Sequence, residues 1–424
     1  MNQKLFDYID ACPTPFHTVA HTANLLREAG YEELFEGADW NLSAGGRYFT
    51  TRNGSSLIAF RIPTGDYDGF LIAAAHGDTP TFRIKENAIL PDAEHLRLST
   101  EKYGGMIFSS WLDRPLSVAG RATVRTQKGL QTRTVDLKEP IAVIPNVAIH
   151  QNREINNGFK YNPAIDLIPL VGTKSSNVDL QERVAEALNV HPSDLLSTEL
   201  SLYNPAQGVI FGDLIAAPRL DDLQCAFAAT QAFLTSENGS SIPVLAIFDN
   251  EEVGSSTKQG AASTFLSDVL TRIQPDPIVL CQKLVSSLLI SCDNAHALHP
   301  NHPEYADKNH TAKLNQGIVI KYNASQKYTT DAISAGIFEL ICERAGVPVQ
   351  RYANRSDLAG GSTLGNIATT QVSINAIDIG LPQLAMHSAY ETAGALDTEY
   401  LVRALRYAYA CKLRALPGGA YEIN

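Results

Sequence analysis

Four short stretches of this chain carry carboxylates or histidines where an apolar run has just ended, and a fifth lies in a loop beyond the run Val372 to Ile377. They are His76-Gly77-Asp78, Asp221-Asp222 after Arg219-Leu220, Asp249-Asn250-Glu251-Glu252, Asp293, and Ala385-Met386-His387. Each is unremarkable by itself, since a histidine two residues from an aspartate ordinarily forms a turn and an Asp-Asp pair ordinarily caps a helix. Together they describe one kind of chemistry. Carboxylates crowded into a cleft raise one another's pKa, and a divalent cation relieves that conflict. Two histidines and three carboxylates suffice for a dinuclear site in which one carboxylate bridges the ions. Mixed imidazole and carboxylate ligation suits Zn²⁺ and tolerates Mn²⁺ or Co²⁺.

Such convergence needs elements that end side by side. The runs Leu57 to Ile62 and Gly69 to Ala75 read as strands, the second apolar on both faces as a central strand covered by helices would be. Further strands are expected at Val209 to Ala216, Pro243 to Phe248, Leu288 to Cys292, Gly317 to Tyr322 and Val372 to Ile377. Helices are expected after Thr14-Pro15 with Gly30 as the stop, and at Leu223 to Leu234, Thr330 to Arg344 and Thr398 to Leu413. Strands alternating with helices predict an α/β fold: a mostly parallel central sheet flanked by helices, whose carboxyl edge collects ligands. Between Ile84 and Gly212 the texture changes to short alternating segments (Leu116 to Val124, Gln131 to Leu137, Ile141 to Ile144) with one helix-like piece at Val178 to Leu188. This segment reads as an inserted, mainly β domain. The expected division is 1–86 and 213–424 for the catalytic domain, with 87–212 inserted.

Composition narrows the partners. In 424 residues, 34 Lys+Arg stand against 45 Asp+Glu, a formal charge of −11. No basic run is present to displace counterions from a polyanion, so nucleic acid and charged membrane surfaces are excluded as partners. Hydrophobic residues at 44% and charged residues at 19% describe a folded globular chain. Six scattered cysteines without a CxxC pair read as reduced, mostly buried thiols and point to the cytoplasm, as does the lack of a secretory pattern at MNQKLFDYIDACPTPFH.

The stretches AAHGDTP, APRLDDL, FDNEEVGS, SCDNAHALHPN and LPQLAMHS, in this order, resemble the motifs of the aspartyl aminopeptidase family, and the likeness runs from TPFH to the last helix. It implies two divalent ions per subunit, most simply Zn²⁺, held by His76, Asp221, Glu252, Asp293 and His387. The residues alone leave Asp221 and Asp222 interchangeable; the resemblance designates Asp221 as the bridge. It further implies that Asp78 fixes the tautomer of His76, that Glu251 is the general base for a metal-activated water, and that His296 faces the developing oxyanion. Lys321, in GIVIKYN, is implied to bind the side-chain carboxylate of an N-terminal Asp, or also Glu, of a peptide. The loop IPNVAIH implies that His150 reaches a neighbouring subunit's active site, in a homo-oligomer that the family builds as a dodecamer. Several relatives carry His where this chain has Asn146, which cannot be protonated. Two other readings remain on the residues. A deacylase of small N-acyl amino acids on the same scaffold would prefer acyl amino acids to peptides, and a non-catalytic oligomeric binding protein would show no hydrolysis.

Overall fold

The computed structural model describes residues 1–176 and 178–424, which separate into two compact units. The larger comprises Met1–Asp78, Gly208–Met386 and Glu391–Asn424; the smaller comprises Thr79–Gln207 and His387–Tyr390.

The larger unit is organised by a nine-stranded sheet. At its centre Ser56–Arg61, Ile242–Phe248, Phe70–His76, Leu288–Cys292 and Asn375–Gly380 lie side by side, and from Ile242–Phe248 onward these neighbours are parallel. The reason for their continuous apolar character is visible along Phe70–His76. Leu71, Ala73 and Ala75 enter one core, with the helices Leu220–Thr235 and Asp397–Ala410, while Phe70, Ile72 and Ala74 enter a second core with Phe265, Leu266 and Val269. Side chains alternate across a strand, so a strand covered on both faces must be apolar at every position. Beyond Asn375–Gly380 come Ile318–Tyr322, antiparallel to it, and Val349–Ala353. A separate five-stranded sheet contains Val209–Phe211, Leu214–Ala217, Glu391–Gly394, Pro382–Leu384 and Ala295–His296.

Three expected boundaries move. Val209 to Ala216 is a hairpin of two strands, because Gly212 turns the chain at φ +58°. The strand foreseen at Val372 to Ile377 is Asn375–Gly380, since the Val372 N–H is spent closing a helical turn on the carbonyl of Ala368. The last helix stops at Ala410, and Leu413 begins a terminal strand, Leu413–Leu416. Among the described residues no helix is long and apolar enough to cross a membrane.

Among the described residues the smaller unit has a six-stranded antiparallel sheet and one α-helix, Leu180–Leu188, whose first turn is capped by the Asp179 side chain on the N–H groups of Gln181 and Glu182. Phe82, Leu98, Trp111, Val118 and Leu200 form its core. The segment Ile141 to Ile144 forms isolated bridges to Leu116 and Leu170 in place of the expected strand.

Asp397, which opens the helix Asp397–Ala410, is fully buried and accepts the N–H groups of Asn315 (2.8 Å) and Gly317 (3.3 Å). Burial pushes its carboxyl up to about 7, with the two N–H donors opposing. A raised acid favours the fold while protonated, so this contribution is complete below the unfolded pKa and is lost as pH rises through about 7. Asp397→Asn keeps an acceptor and removes the charge. Its stability relative to the wild type is expected to climb between pH 4 and 7, by at most about 4 kcal/mol, and then level off. Urea midpoints at pH 5 and pH 8 test this; an equal difference at both would refute it.

Candidate active site

His76 is the last residue of the strand Phe70–His76, so its side chain emerges at the sheet's carboxyl edge while remaining 1% exposed. Its Nδ1 lies 3.0 Å from the backbone carbonyl of Asp78 and 3.4 Å from the Asp78 carboxylate. The carbonyl can only accept, so Nδ1 carries a proton, and Nε2 is the nitrogen left to bind a metal. Tautomer control thus comes from the main chain of Asp78 more than from its side chain. The Asp78 carboxylate instead accepts the N–H groups of Glu251 and Glu252, each at 3.2 Å, and so ties the His76 turn to the Glu-Glu turn.

Nε2 of His76 faces Asp221 Oδ1 at 3.5 Å and Asp293 Oδ1 at 3.9 Å. Asp221 and Asp222 precede the regular part of the helix Leu220–Thr235, and their φ/ψ angles (−83°/109° and −117°/23°) are not helical; the bond between them is cis. The Asp221 N–H donates to the buried carboxylate of Glu391 at 3.0 Å, and Asp222 accepts the His76 N–H at 3.2 Å. Asp293 follows the strand Leu288–Cys292, and the next residue, Asn294, donates from its amide to Leu220 O, Gln224 and Gln383. That network joins the Asp221 and Asp293 segments from beneath. Glu251 and Glu252 sit on a single turn, Glu251–Val253, after Asn250 at φ +64°. The Asn250 carbonyl oxygen of the side chain receives Thr257 Oγ1 and Gln259 Nε2, which brace the turn.

Ligand-capable atoms of His76, Asp221, Asp222 and Asp293 all lie within 4.8 Å of one another, and so do those of His76, Glu251 and Glu252. The charges conflict as such crowding requires. Burial and then the neighbouring acids raise Asp222 and Glu252 well above the carboxylate range, and raise Glu251 to about 8 and Asp249 to about 6. Burial would lower His76, but Asp221, Asp222, Asp293 and Asp78 outweigh it and raise the imidazole well above its usual value. A place that attracts a proton so strongly attracts a dication as well. The geometry agrees: ligands about 2.0 to 2.1 Å from a tetrahedral zinc are roughly 3.4 Å apart, close to the 3.5 Å separating Nε2 from Asp221. Asp222 Oδ1, buried and without a hydrogen-bond partner among the described residues, belongs to the same acid cluster. The residues present therefore fit a metal centre.

The other expected residues fall as follows. Lys321, on the strand Ile318–Tyr322, is 3% exposed; its Nζ donates to Asn294 O at 2.8 Å, lies 3.6 Å from Asp293 Oδ2, and sits 5.5 Å above the Tyr328 ring. Burial alone would lower its pKa, and Asp293, Tyr328 and Asp378 more than restore it. His296 closes the two-residue strand Ala295–His296, edge-on to Tyr352, and lines a cavity of about 340 Å³ with Tyr352, Leu384 and Met386. His387 opens the segment His387–Tyr390 of the smaller unit, at φ +68°. His150 is exposed on a turn of that unit, and Asn146 is bonded to Asp113 through its amide and its backbone N–H. Glu391, Asn294 and Asp378 had no signal in the sequence, because each acts on residues distant along the chain.

The sequence pattern of the family described as "Aminopeptidase I zinc metalloprotease (M18)" matches residues 8–409. A Clostridium acetobutylicum protein named "Probable M18 family aminopeptidase 2" is 43% identical over 423 residues, spanning 96% of this chain and 98% of that protein. Among solved structures, a chain of a complex of Ape4 and Nbr1 superposes with a TM-score of 0.92 at 34% identity, over 96% of this chain and 85% of that one. The S. cerevisiae mApe1 dodecamer gives a TM-score of 0.85 at 28% identity, over 96% and 95%.

Proposed function

The chain belongs to the M18 family of zinc metallo-aminopeptidases, and from that premise we propose that it releases acidic residues, Asp and also Glu, from peptide N-termini at a dinuclear metal centre. The observation that carries this reading is Lys321: a buried ammonium beside Asp293, inside the acid cluster, where a side-chain carboxylate of the substrate would be met by charge. His76, Asp221, Glu252, Asp293 and His387 would hold the two ions, with Asp221 shared. When bound, Zn²⁺, or Mn²⁺ or Co²⁺ in its stead, polarises the scissile carbonyl and makes water acidic near neutral pH.

The protein's own groups do the rest. Glu251, on the turn beside the assigned ligand Glu252, accepts the proton of the attacking water and returns it to the leaving amine. Asp78 holds the Glu251–Glu252 backbone and the His76 ring in one arrangement. His296, three residues beyond Asp293, is assigned to the carbonyl oxygen as charge builds on it.

Self-association into a homo-oligomer, with the dodecamer of the S. cerevisiae relative as the pattern, is part of the proposal. The smaller unit is its assembly unit. Val147, Ile149 and Ile165 are exposed on the same irregular stretch as His150, which supports burial of that stretch by another copy and a role in trans for His150. Six unpaired thiols, one of them exposed, support a reducing cytoplasmic setting.

The test is a panel of dipeptides differing only in their first residue, on metal-loaded, size-fractionated protein. Asp-first substrates are expected to exceed Leu-first ones, and Lys321→Ala to lower kcat/KM for the former by about 10- to 100-fold, the worth of a hydrogen bond to a charged group. Equal cleavage of Asp and Leu substrates by the wild type would end the acidic reading, and full activity in a monomer fraction would end the role of His150.

A further inference from the structure

Behind Lys321 lies a carboxylate that the chemistry above does not use. Asp378, on the strand Asn375–Gly380, is completely buried. The antiparallel register pairs Val319 with Gly380 and Ile320 with Ile379, so Lys321 and Asp378 are the next residues along the two strands. Its oxygens are fully engaged. Oδ2 accepts the Thr329 N–H at 2.6 Å and the Thr329 hydroxyl at 2.8 Å, and Oδ1 accepts the Thr363 hydroxyl at 2.6 Å. The Asp378 N–H donates to Thr330 Oγ1 at 3.1 Å. Two glycines keep room for this arrangement. A Cβ on Gly365 would stand 2.7 Å from Asp378 Oδ1, and one on Gly380 would stand 3.0 Å from Lys321 Cε.

The segment that Asp378 grips is the one that carries Tyr328, whose ring faces the Lys321 ammonium. Thr329 and Thr330 follow Tyr328 directly, so three hydrogen bonds to Asp378 fix the chain within two residues of the ring. An apolar residue at 378 would leave the Thr329 N–H and the Thr363 hydroxyl without their acceptor, and a buried donor without an acceptor forces its segment to move.

We propose that Asp378 is a positioning residue for substrate selection: by clamping Thr329, Thr330 and Thr363 it holds Tyr328 against Lys321 and so sets the shape of the pocket that takes the side-chain carboxylate. This rests on the reading of Lys321 as the acid-binding group. Asp378 touches no substrate. Its effect passes through Tyr328, and it concerns binding of the acidic side chain more than the hydrolytic step.

Asp378→Asn separates this role from a merely structural one. Asparagine keeps the volume but has one acceptor oxygen in place of two charged ones, so it can hold Thr329 only with a neutral acceptor and only if the Thr363 hydroxyl turns to accept from the amide. With the zinc-loaded enzyme, KM for an Asp-first dipeptide is expected to rise roughly tenfold, the loss of one good hydrogen bond, while kcat and KM for a Leu-first dipeptide and the bound zinc stay at wild-type levels. Thr363→Val, which deletes a single hydroxyl from the clamp, is expected to move the same KM in the same direction by less. It also serves if Asp378→Asn does not fold. Equal losses on both substrates, or unchanged discrimination in a folded variant, would overturn the positioning role although Lys321 still selects acids. Absence of discrimination in the wild type would remove the premise, and the inference with it.

Discussion

Glu251→Gln is expected to abolish peptide hydrolysis, by about 10³- to 10⁴-fold in kcat, while leaving bound zinc and KM near wild-type values. Glutamine preserves the size and one acceptor of the side chain but cannot take a proton from water or return one to an amine. The backbone N–H of residue 251 still donates to Asp78, so the turn that also carries Glu252 stays anchored. Glu252→Gln supplies the contrast: as an assigned ligand it should lose zinc first and activity as a consequence. The comparison matters because both glutamates offer an oxygen within 4.8 Å of His76, and proximity alone does not divide their work. Zinc determination and single-turnover rates on the two variants make the division. A Glu251→Gln enzyme that turns over at the wild-type rate, or that loses its zinc, would reverse the assignment.

The acid cluster was legible because its chemistry is written at the ends of strands. Ala73-Ala74-Ala75-His76 and Ala246-Ile247-Phe248-Asp249 are each apolar until the sheet edge and polar immediately after it, which two-sided burial enforces. What stayed hidden is the layer beneath, and the reason is distance along the chain. Asp221 receives support from Glu391, 170 residues later, and Asp378 reaches back 49 residues to Thr329. Neither aspartate nor glutamate carries a local mark of such a partner. Lys321 reads in sequence as a lysine near a strand end, and only the packed sheet reveals that it is buried and faces Asp293. Boundaries slipped where one residue changed the geometry, as Gly212 did by turning a single expected strand into a hairpin. The role of Asp78 is likewise not written in the sequence, because the choice between its carbonyl and its carboxylate as partner of His76 depends on a few tenths of an ångström.

Stripping the metal is expected to cost the larger unit much of its stability, and to do so increasingly as pH rises. In the metal-free protein His76 is surrounded by Asp221, Asp222 and Asp293, with Glu251 and Glu252 on the adjoining turn. The fold tolerates those acids by keeping protons on them, which is what raised values of about 6 at Asp249 and about 8 at Glu251 express. A group whose folded pKa is raised stabilises the fold below its unfolded pKa, and that stabilisation disappears as pH climbs through the folded value. The stripped protein should therefore weaken steadily from pH 5 to pH 9. Zinc binds the folded site and competes with those protons, so the loaded protein should show a flatter profile and a gain of about 4 kcal/mol when free metal exceeds its Kd a thousandfold. Denaturation midpoints with and without chelator, at pH 6 and pH 8.5, measure both the offset and its growth. Asp221→Asn removes one of the crowded charges together with the assigned bridge, so it should destabilise the loaded protein and spare the stripped one. If chelator leaves the midpoint unchanged at both pH values, the acids at these strand ends hold one another through hydrogen bonds alone, and the metal centre is not what the cluster was built to bind.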